Sequence, residues 1–402
     1  MKLKKRIKSL DKASIIRNII LVAMGLVVFS PYSSKLALDR LHLSMSMPEL
    51  LALPFCVYFI RDIRRIKFNK KAFRWQFVMM ILLVLFGMMY GKFPLVSILG
   101  SARAYFWLFV FYCIFSSNTN PFSFNDLMYI SLGCILGWTI TSLYGIQSII
   151  LQLISGKVTY GVLLAIPIFL STSYIKKKYL LMAIGIIAIM IICVTSGTRR
   201  VIVVTLLSVF FVAFFYLRNK PLKFAKVGLS VAAISVALMF FIPYAKKYSQ
   251  EVSYRWYYRV FVRSETYLEG NIDNSDAGRA NDISTLLEES WTYILPPRGF
   301  VSRQTGSDKG AGDFNDLPLK ELFWTFTLPG TIAIIGHFFS RYMSIYRRYR
   351  KYNDEESYVI VNYMTIMFAL LFIEGTFLAY PYATPITGVC LGLVDRKNKR
   401  LS

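Results

Sequence analysis

The sequence predicts an all-α polytopic membrane protein of about twelve transmembrane helices, with one long, partly helical outer loop. Three observations carry this. The 402-residue chain is 55% hydrophobic, with a mean hydropathy of +0.49. Its apolar residues are gathered in repeated long runs, and a bilayer core of roughly 30 Å is crossed by about 20 apolar residues in a helix. Its 47 Lys and Arg residues lie almost entirely between those runs. The reading is of a single integral membrane domain over 1–402.

In chain order the spans are expected near 15–31, 49–60, 75–90, 104–117, 127–147, 158–174, 179–195, 201–217, 227–244, 320–340, 357–375 and 383–394. The first run has no small-residue cleavage pattern behind it and reads as a retained helix rather than a signal peptide. With the N-terminus in the cytoplasm, the inner segments hold 29 Lys and Arg, and the short outer segments hold 7. Cytoplasmic loops carry such an excess, which places both termini inside and the protein in the cytoplasmic membrane. The net charge of +25 is therefore mostly topology. No basic soluble domain exists to hold nucleic acid.

Cys56, Cys113, Cys134, Cys193 and Cys390 all fall in expected spans and read as small buried apolar residues. They form no disulfide framework and no zinc spacing. Two histidines, His42 and His337, make a histidine-based metal site improbable. No metal or other cofactor is expected. His337, toward the inner end of its span, reads as a packed, hydrogen-bonded residue.

The regular alternation breaks once, at an outer segment over 245–319 that holds 11 of the 22 acidic residues. Structureless loops of that length are uncommon unless functional or disordered, and this one carries Trp256, Trp291 and many other apolar side chains. It is expected to fold against the outer face. In "YRWYYRVFVR", Arg255, Arg259 and Arg263 recur at i, i+4 and i+8, so an α-helix would align them on one face. Trp256, Tyr257 and Tyr258 between them suit the lipid–water boundary. Such a stripe either contacts anionic head groups or guides a lipid-linked phosphate.

The next stretch, "SDAGRANDISTLLEESWTYIL", spaces Ile283, Leu286, Leu287, Trp291 and Ile294 as one apolar face of a helix. Asp276 is a candidate N-cap, with Arg279 in the first turn. Arg279 falls at the edge of the apolar stripe and should face protein, where a lone guanidinium is costly. Its partner is either Asp276 or Asp282, or an anionic ligand drawn to the free N–H groups of a helix start. The remainder of the loop is rich in Gly and Pro. It carries Arg298 and Arg303, then Asp313, Asn315, Asp316 and Glu321 before the next span.

Arg199 and Arg200, in "TSGTRRVIVV", lie on the outer side against the charge trend. They are either snorkelling residues or ligands for an anion, for which arginine's planar fork is suited. Arg103 and Glu374, near the outer ends of their spans, are weaker candidates.

Taken in order, "TSGTRR", the 245–319 segment with its "AGRANDI", "PPRGF" and "FNDLPLKELFWTFTLPG" resemble the O-antigen polymerase/ligase superfamily over roughly residues 180–340. The resemblance implies a metal-independent, C-type membrane glycosyltransferase working at the outer face. Its donors would be sugars on undecaprenyl pyrophosphate, and its pyrophosphate-binding arginines would carry over to Arg199 or Arg200 and to Arg279. Cations placed beforehand would stabilise charge developing on a diphosphate leaving group. The loop holds no histidine where the ligase branch has one, at "GDFND", which favours the polysaccharide repeat-unit polymerase branch. A general base near the acceptor hydroxyl would be sought among Asp313, Asp316 and Asp276, then Glu265 and Glu321. A chain-length regulator would be a partner. A ligase is the alternative enzyme. A flippase or transporter without chemistry is the alternative class; transporters often use internal repeats and broken helices, and no internal repeat is evident.

Overall fold

The computed structural model describes residues 2–28, 70–91, 95–116, 123–145, 160–196, 199–217, 257–262, 294–300, 318–373 and 384–399, with scattered positions between 222 and 291. Every regular element among the described residues is helical. In chain order they are α1 (Lys2–Val28), α2 (Lys70–Gly91), α3 (Leu95–Phe115), α4 (Phe124–Gly145), α5 (Tyr160–Ile175), α6 (Tyr179–Ser196), α7 (Arg199–Leu217), a π turn (Tyr258–Val262), α8 (Pro318–Tyr352), α9 (Glu355–Ile373) and α10 (Thr384–Lys399). The chain divides into two compact units. The expected spans at 49–60 and most of 227–244 lie outside the described residues.

The first unit contains α1, α4, α5, α6 and α7. Helix α4 packs on α1, α5 and α6. Its pairing with α1 is made possible by two glycines. A Cβ on Gly25 would meet the Ile130 carbonyl oxygen at 2.0 Å, and one on Gly133 would meet that of Val22 at 2.0 Å. Gly133 and Gly137 form the small-xxx-small spacing that lets helix backbones approach. Ser123 starts α4 with a reciprocal cap. Its N–H and hydroxyl donate to Asp126 Oδ2 at 2.7 and 3.0 Å, while the Asp126 N–H donates to the Ser123 hydroxyl at 3.3 Å. The same carboxylate receives Arg17 of α1 at 3.2 Å. Helix α5 is buried on all sides from Val162 to Ser173, the pattern of a helix enclosed by others. A turn with Lys177 at φ 54° joins it to α6. Lys178 then donates to Tyr129 Oη at 2.6 Å and Asn125 Oδ1 at 3.3 Å, both on α4.

The second unit contains α2, α3, α8, α9 and α10. Helices α3 and α10 pack through Gly388 and Gly392. A Cβ at the former would lie 2.4 Å from the Leu108 carbonyl oxygen, and one at the latter 2.8 Å from Phe115 Cβ. At one end of this pair Asp395 accepts the Tyr112 hydroxyl and pairs with Arg341 of α8 at 2.9 Å. Asp354 caps α9 through the Ser357 N–H at 3.2 Å. Residues Leu322–Tyr352 of α8 are the one described helix long and apolar enough to cross a membrane.

Most expected span boundaries lie within a few residues of the observed helices, but α1 begins at Lys2 rather than near 15, and three further expectations are not met. Helix α3 begins at Leu95 rather than 104, so Arg103 sits well inside it rather than at its outer end. Helix α8 continues to Tyr352, beyond the expected 340, because the basic, aromatic stretch after Ser340 stays helical. His337 is exposed, edge-on to the ring of Phe338, instead of packed and hydrogen-bonded.

Candidate functional site

The described part of the long loop nearest the helices is Arg298–Gly299–Phe300, and it threads between α2, α3 and α8. Two glycines permit this. Gly299 adopts φ 79°, and a Cβ on it would fall 2.2 Å from the Gly87 nitrogen; a Cβ on Gly87 would fall 2.6 Å from the Phe300 carbonyl oxygen. The Phe300 N–H donates to the Leu83 carbonyl at 3.2 Å. The Phe300 ring is buried against Tyr105, 5.2 Å between centroids, and Tyr105 meets Phe326 of α8 at 5.4 Å.

This strap reaches α8 at a break. Thr327 has φ 70° and ψ 166° inside an otherwise helical run, with Pro329 two residues on. That backbone region is essentially reserved for glycine, and a β-branched residue there is an outlier. The break divides α8 into 318–326 and 328–352. It leaves carbonyls at the end of the first piece and N–H groups at the start of the second without helical partners. Two are satisfied locally. The Arg298 N–H donates to the Trp324 carbonyl at 3.0 Å, and the Gly330 N–H donates to Thr327 Oγ1 at 3.2 Å, the N-cap arrangement. The Arg298 guanidinium lies 4.7 Å from the centre of the Trp324 ring. Thr325 and Thr331 flank the break, fully buried, and neither hydroxyl has a hydrogen-bond partner.

The residues expected from the sequence are distributed differently. Arg199 and Arg200 are the first two residues of α7; their side chains lie outside the described residues. Arg259 falls in the π turn Tyr258–Val262, which replaces the α-helix expected there. A π turn closes on i→i+5 bonds, so the α-helical face that was to align Arg255, Arg259 and Arg263 is not continuous through it. Arg255, Arg263, Asp276, Arg279, Asp313, Asp316 and Glu374 lie outside the described residues. Glu321 sits in the first piece of α8, its side chain also outside them.

Glu265 receives Lys246, an ion pair that raises Lys246 above its ordinary value, chiefly through the hydrogen bond. Trp291, expected on the inward apolar face, is 77% exposed. An indole that is part apolar and part polar is at home at a membrane interface.

Trp324, Thr325, Thr327 and Thr331 did not stand out in the sequence. The signal that could have marked them is the Thr-Leu-Pro-Gly run inside an apolar span, since proline in a helical pattern ends or kinks it. Among the described residues, no group of three or more His, Cys, Asp or Glu could hold a metal ion. Compared with known proteins, the chain matches no family model, no curated protein and no solved structure.

Proposed function

We propose that this chain is a multi-pass protein of the cytoplasmic membrane, with both termini inside, that polymerises undecaprenyl-pyrophosphate-linked oligosaccharide repeat units at the outer face. The product would be a surface polysaccharide: an O-antigen, a capsule or an exopolysaccharide. The growing chain would pass from one lipid pyrophosphate to the non-reducing sugar of another lipid-linked repeat, releasing undecaprenyl pyrophosphate.

The membrane part of the reading is supported by surface chemistry. Leu180, Ile184, Ile187 and Met190 of α6 are exposed along one face, as are Leu206, Val209, Phe210 and Phe214 of α7 and Trp75, Met79, Leu82, Leu85 and Met89 of α2. Contiguous apolar surface on this scale is not left in water. The charge contacts agree with the expected topology. Arg17–Asp126, Lys178–Asn125, Arg341–Asp395 and Arg348–Asp354 all fall at or beside the ends of the expected spans that would face the cytoplasm.

The observation that carries the reaction is the position of Arg199 and Arg200. They open α7, at the positive end of its dipole, where cations are disfavoured. A bound anion reverses that preference, because a helix start and two guanidinium groups then act on the same charge. Arg279 and the acidic residues Asp313, Asp316 and Asp276 remain the proposed leaving-group and base residues. The test supplies purified protein with synthetic lipid-pyrophosphate repeat units. Chain extension is expected from wild type, with a large loss in Arg199→Ala/Arg200→Ala and in Arg279→Ala, and with activity kept in a metal chelator. Full-rate extension by the folded variants would remove the arginines from the mechanism.

One observation favours a second reading. The break in α8 is of the kind found in transporters, so a lipid-linked saccharide carrier without chemistry is the competing proposal. Movement of labelled lipid across proteoliposomes without any lengthening of the glycan would select it. A ligase would instead attach finished glycan to an acceptor in the same assay.

A further inference from the structure

We propose that the break in α8 is a binding site for a phosphate-class anion, held by the Thr325 and Thr331 hydroxyls, the start of the 328–352 helix and the Arg298 guanidinium. The inference does not depend on the reaction proposed above. It begins from the two hydroxyls. Both are fully buried without a hydrogen-bond partner, and a buried unsatisfied polar group calls for an explanation such as a bound water or ion.

Threonine in an intact helix can turn its hydroxyl back to the carbonyl four residues earlier. Thr205 and Thr365 do so, at 2.6 and 2.7 Å. For Thr331 that carbonyl belongs to Thr327, which has left the helical conformation, so this way out is closed. Ser131 and Thr172 are also buried without partners, and they, like Thr325 in the 318–326 piece, have the carbonyl four residues back within helix. Thr331 is the one of these four whose helix is broken at that carbonyl, and it carries the inference.

The sign of the ligand follows from the groups around the break. A cation would use the carbonyls that the break releases, but that of Trp324 is already taken by the Arg298 N–H. The formal charge shown at the break is the Arg298 guanidinium stacked on Trp324, and with the amino end of the 328–352 helix and hydroxyl groups able to donate it favours an anion. Hydrogen bonds from such donors to an ionised oxygen are stronger than those between neutral groups. A phosphate group has oxygens enough to meet several of these donors at once. Access is from the Pro329 side, which is exposed between the half-buried Leu328 and Gly330.

The anion could be free or part of a lipid head group. Full-length protein in nanodiscs of neutral lipid would be titrated with inorganic pyrophosphate by calorimetry. A parallel series would carry a polyprenyl diphosphate in the disc, read by its phosphorus resonance. Saturable binding in either series is expected, and which series shows it identifies the source. Thr325→Val/Thr331→Val keeps shape and removes both donors. It should weaken binding about tenfold or more, equivalent to about 1.4 kcal/mol, with no loss of thermal stability. Thr325→Ser/Thr331→Ser should bind as wild type and serves as the reference should the valine variant not fold. Absence of saturable binding by wild type in both series overturns the proposal. So does undiminished binding by the valine variant, as expected of an anion held only at Arg199 and Arg200 or of hydroxyls that meet water alone.

Discussion

Each unit has a helix pair that closes on glycine and is pinned by an arginine and an aspartate, yet among the described residues only the second unit breaks a helix. In the first, Gly25 and Gly133 bring α1 and α4 together, and Arg17 meets Asp126 at one end. In the second, Gly388 and Gly392 seat α10 on α3, and Arg341 meets Asp395. Asp126 also serves as part of a helix cap. Asp395 instead gathers groups from two other helices, Tyr112 of α3 and Arg341 of α8. Both units use a carboxylate to cap a helix, Asp126 in the first and Asp354 in the second; the second also uses Asp395 to hold two helices, one of them strained. Strain kept in place by its surroundings is where function is to be sought.

The comparison is broken most severely at the glycines. The α1–α4 contact is reciprocal: a Cβ on either glycine would fall 2.0 Å from a backbone carbonyl oxygen of the other helix. Backbone cannot rotate away, so Gly133→Ala should cost more than the usual 1–3 kcal/mol of overpacking, about 3 kcal/mol or above. Gly392→Ala would place its Cβ 2.8 Å from Phe115 Cβ and 2.9 Å from backbone atoms of Phe115 and Ser116, a milder overlap that should stay within about 1–3 kcal/mol. Unfolding of the two variants side by side in mild detergent checks the order. Equal losses would mean that the two pairs share one packing geometry after all.

Removing the carboxylates comes next. Asp395→Asn weakens a tyrosine contact and an arginine contact together, whereas Asp126→Asn keeps a side-chain oxygen for the cap. Stranding one partner of a fully buried pair costs about 3–5 kcal/mol. The Arg341 and Arg17 side chains are 37% and 30% exposed, so solvent screening reduces this to about 1–2 kcal/mol for Asp395 and about 1 kcal/mol or less for Asp126. A double-mutant cycle with Tyr112→Phe should show coupling at Asp395, since both changes act on one hydrogen bond.

These two contrasts also mark what could be read from the chain beforehand. Apolar runs located the helices well because burial in lipid or protein demands them over nearly their full length. They misplaced ends where charge and helix part company. Arg103 interrupts the apolar run of α3 without interrupting its backbone, and the basic end of α8 stays helical for the same reason. The glycine spacings are written plainly at Gly133 and Gly137 and at Gly388 and Gly392, but which helix each meets is a tertiary fact. The partners of Asp126 and Asp395 are 109 and 283 residues away in sequence, at Arg17 and Tyr112, and no local pattern encodes them. At the candidate site the arginines declare their chemistry in the sequence. The break at Thr327 does not, because a positive φ at a threonine runs against its own conformational preference.

That break offers a smaller and opposite effect. Thr327→Gly removes a β-branched residue from a glycine-like conformation, worth about 1–3 kcal/mol. It also loses the Thr327–Gly330 cap, for which glycine is only a few tenths poorer. The variant should therefore be more stable, by about 1 kcal/mol, a rise in unfolding temperature being the measurement. No matching substitution exists in the helices of the first unit, whose described interiors contain no non-glycine residue at positive φ. A gain in stability with a loss of activity or anion binding would tie the strain to function. A loss of stability would show that the threonine cap outweighs the strain.

The smallest effect belongs to Lys246 and Glu265, in the part of the long loop that lies with the first unit. The pair is solvent-exposed, so its weight in folding is slight, but it can be read by titration. The carboxylate raises Lys246 above its ordinary 10.5. A lysine raised on folding contributes stability that is fully present below its unfolded value and is lost as pH rises through the folded one. The contact should therefore be indifferent to pH across the neutral range, and the lysine's contribution should be lost in strong alkali, above pH 10.5. Glu265→Gln should return the lysine toward that ordinary value, as followed by the resonance of its labelled Nζ. The same variant bears on chemistry, because Glu265 stands among the outlying base candidates. A carboxylate already engaged by an ammonium group is poorly placed to take a sugar hydroxyl proton, so Glu265→Gln should leave chain extension near the wild-type rate. A collapse of extension in that variant would move the base from the loop's aspartates to Glu265, and with it the reacting centre to the unit that the helix break does not touch.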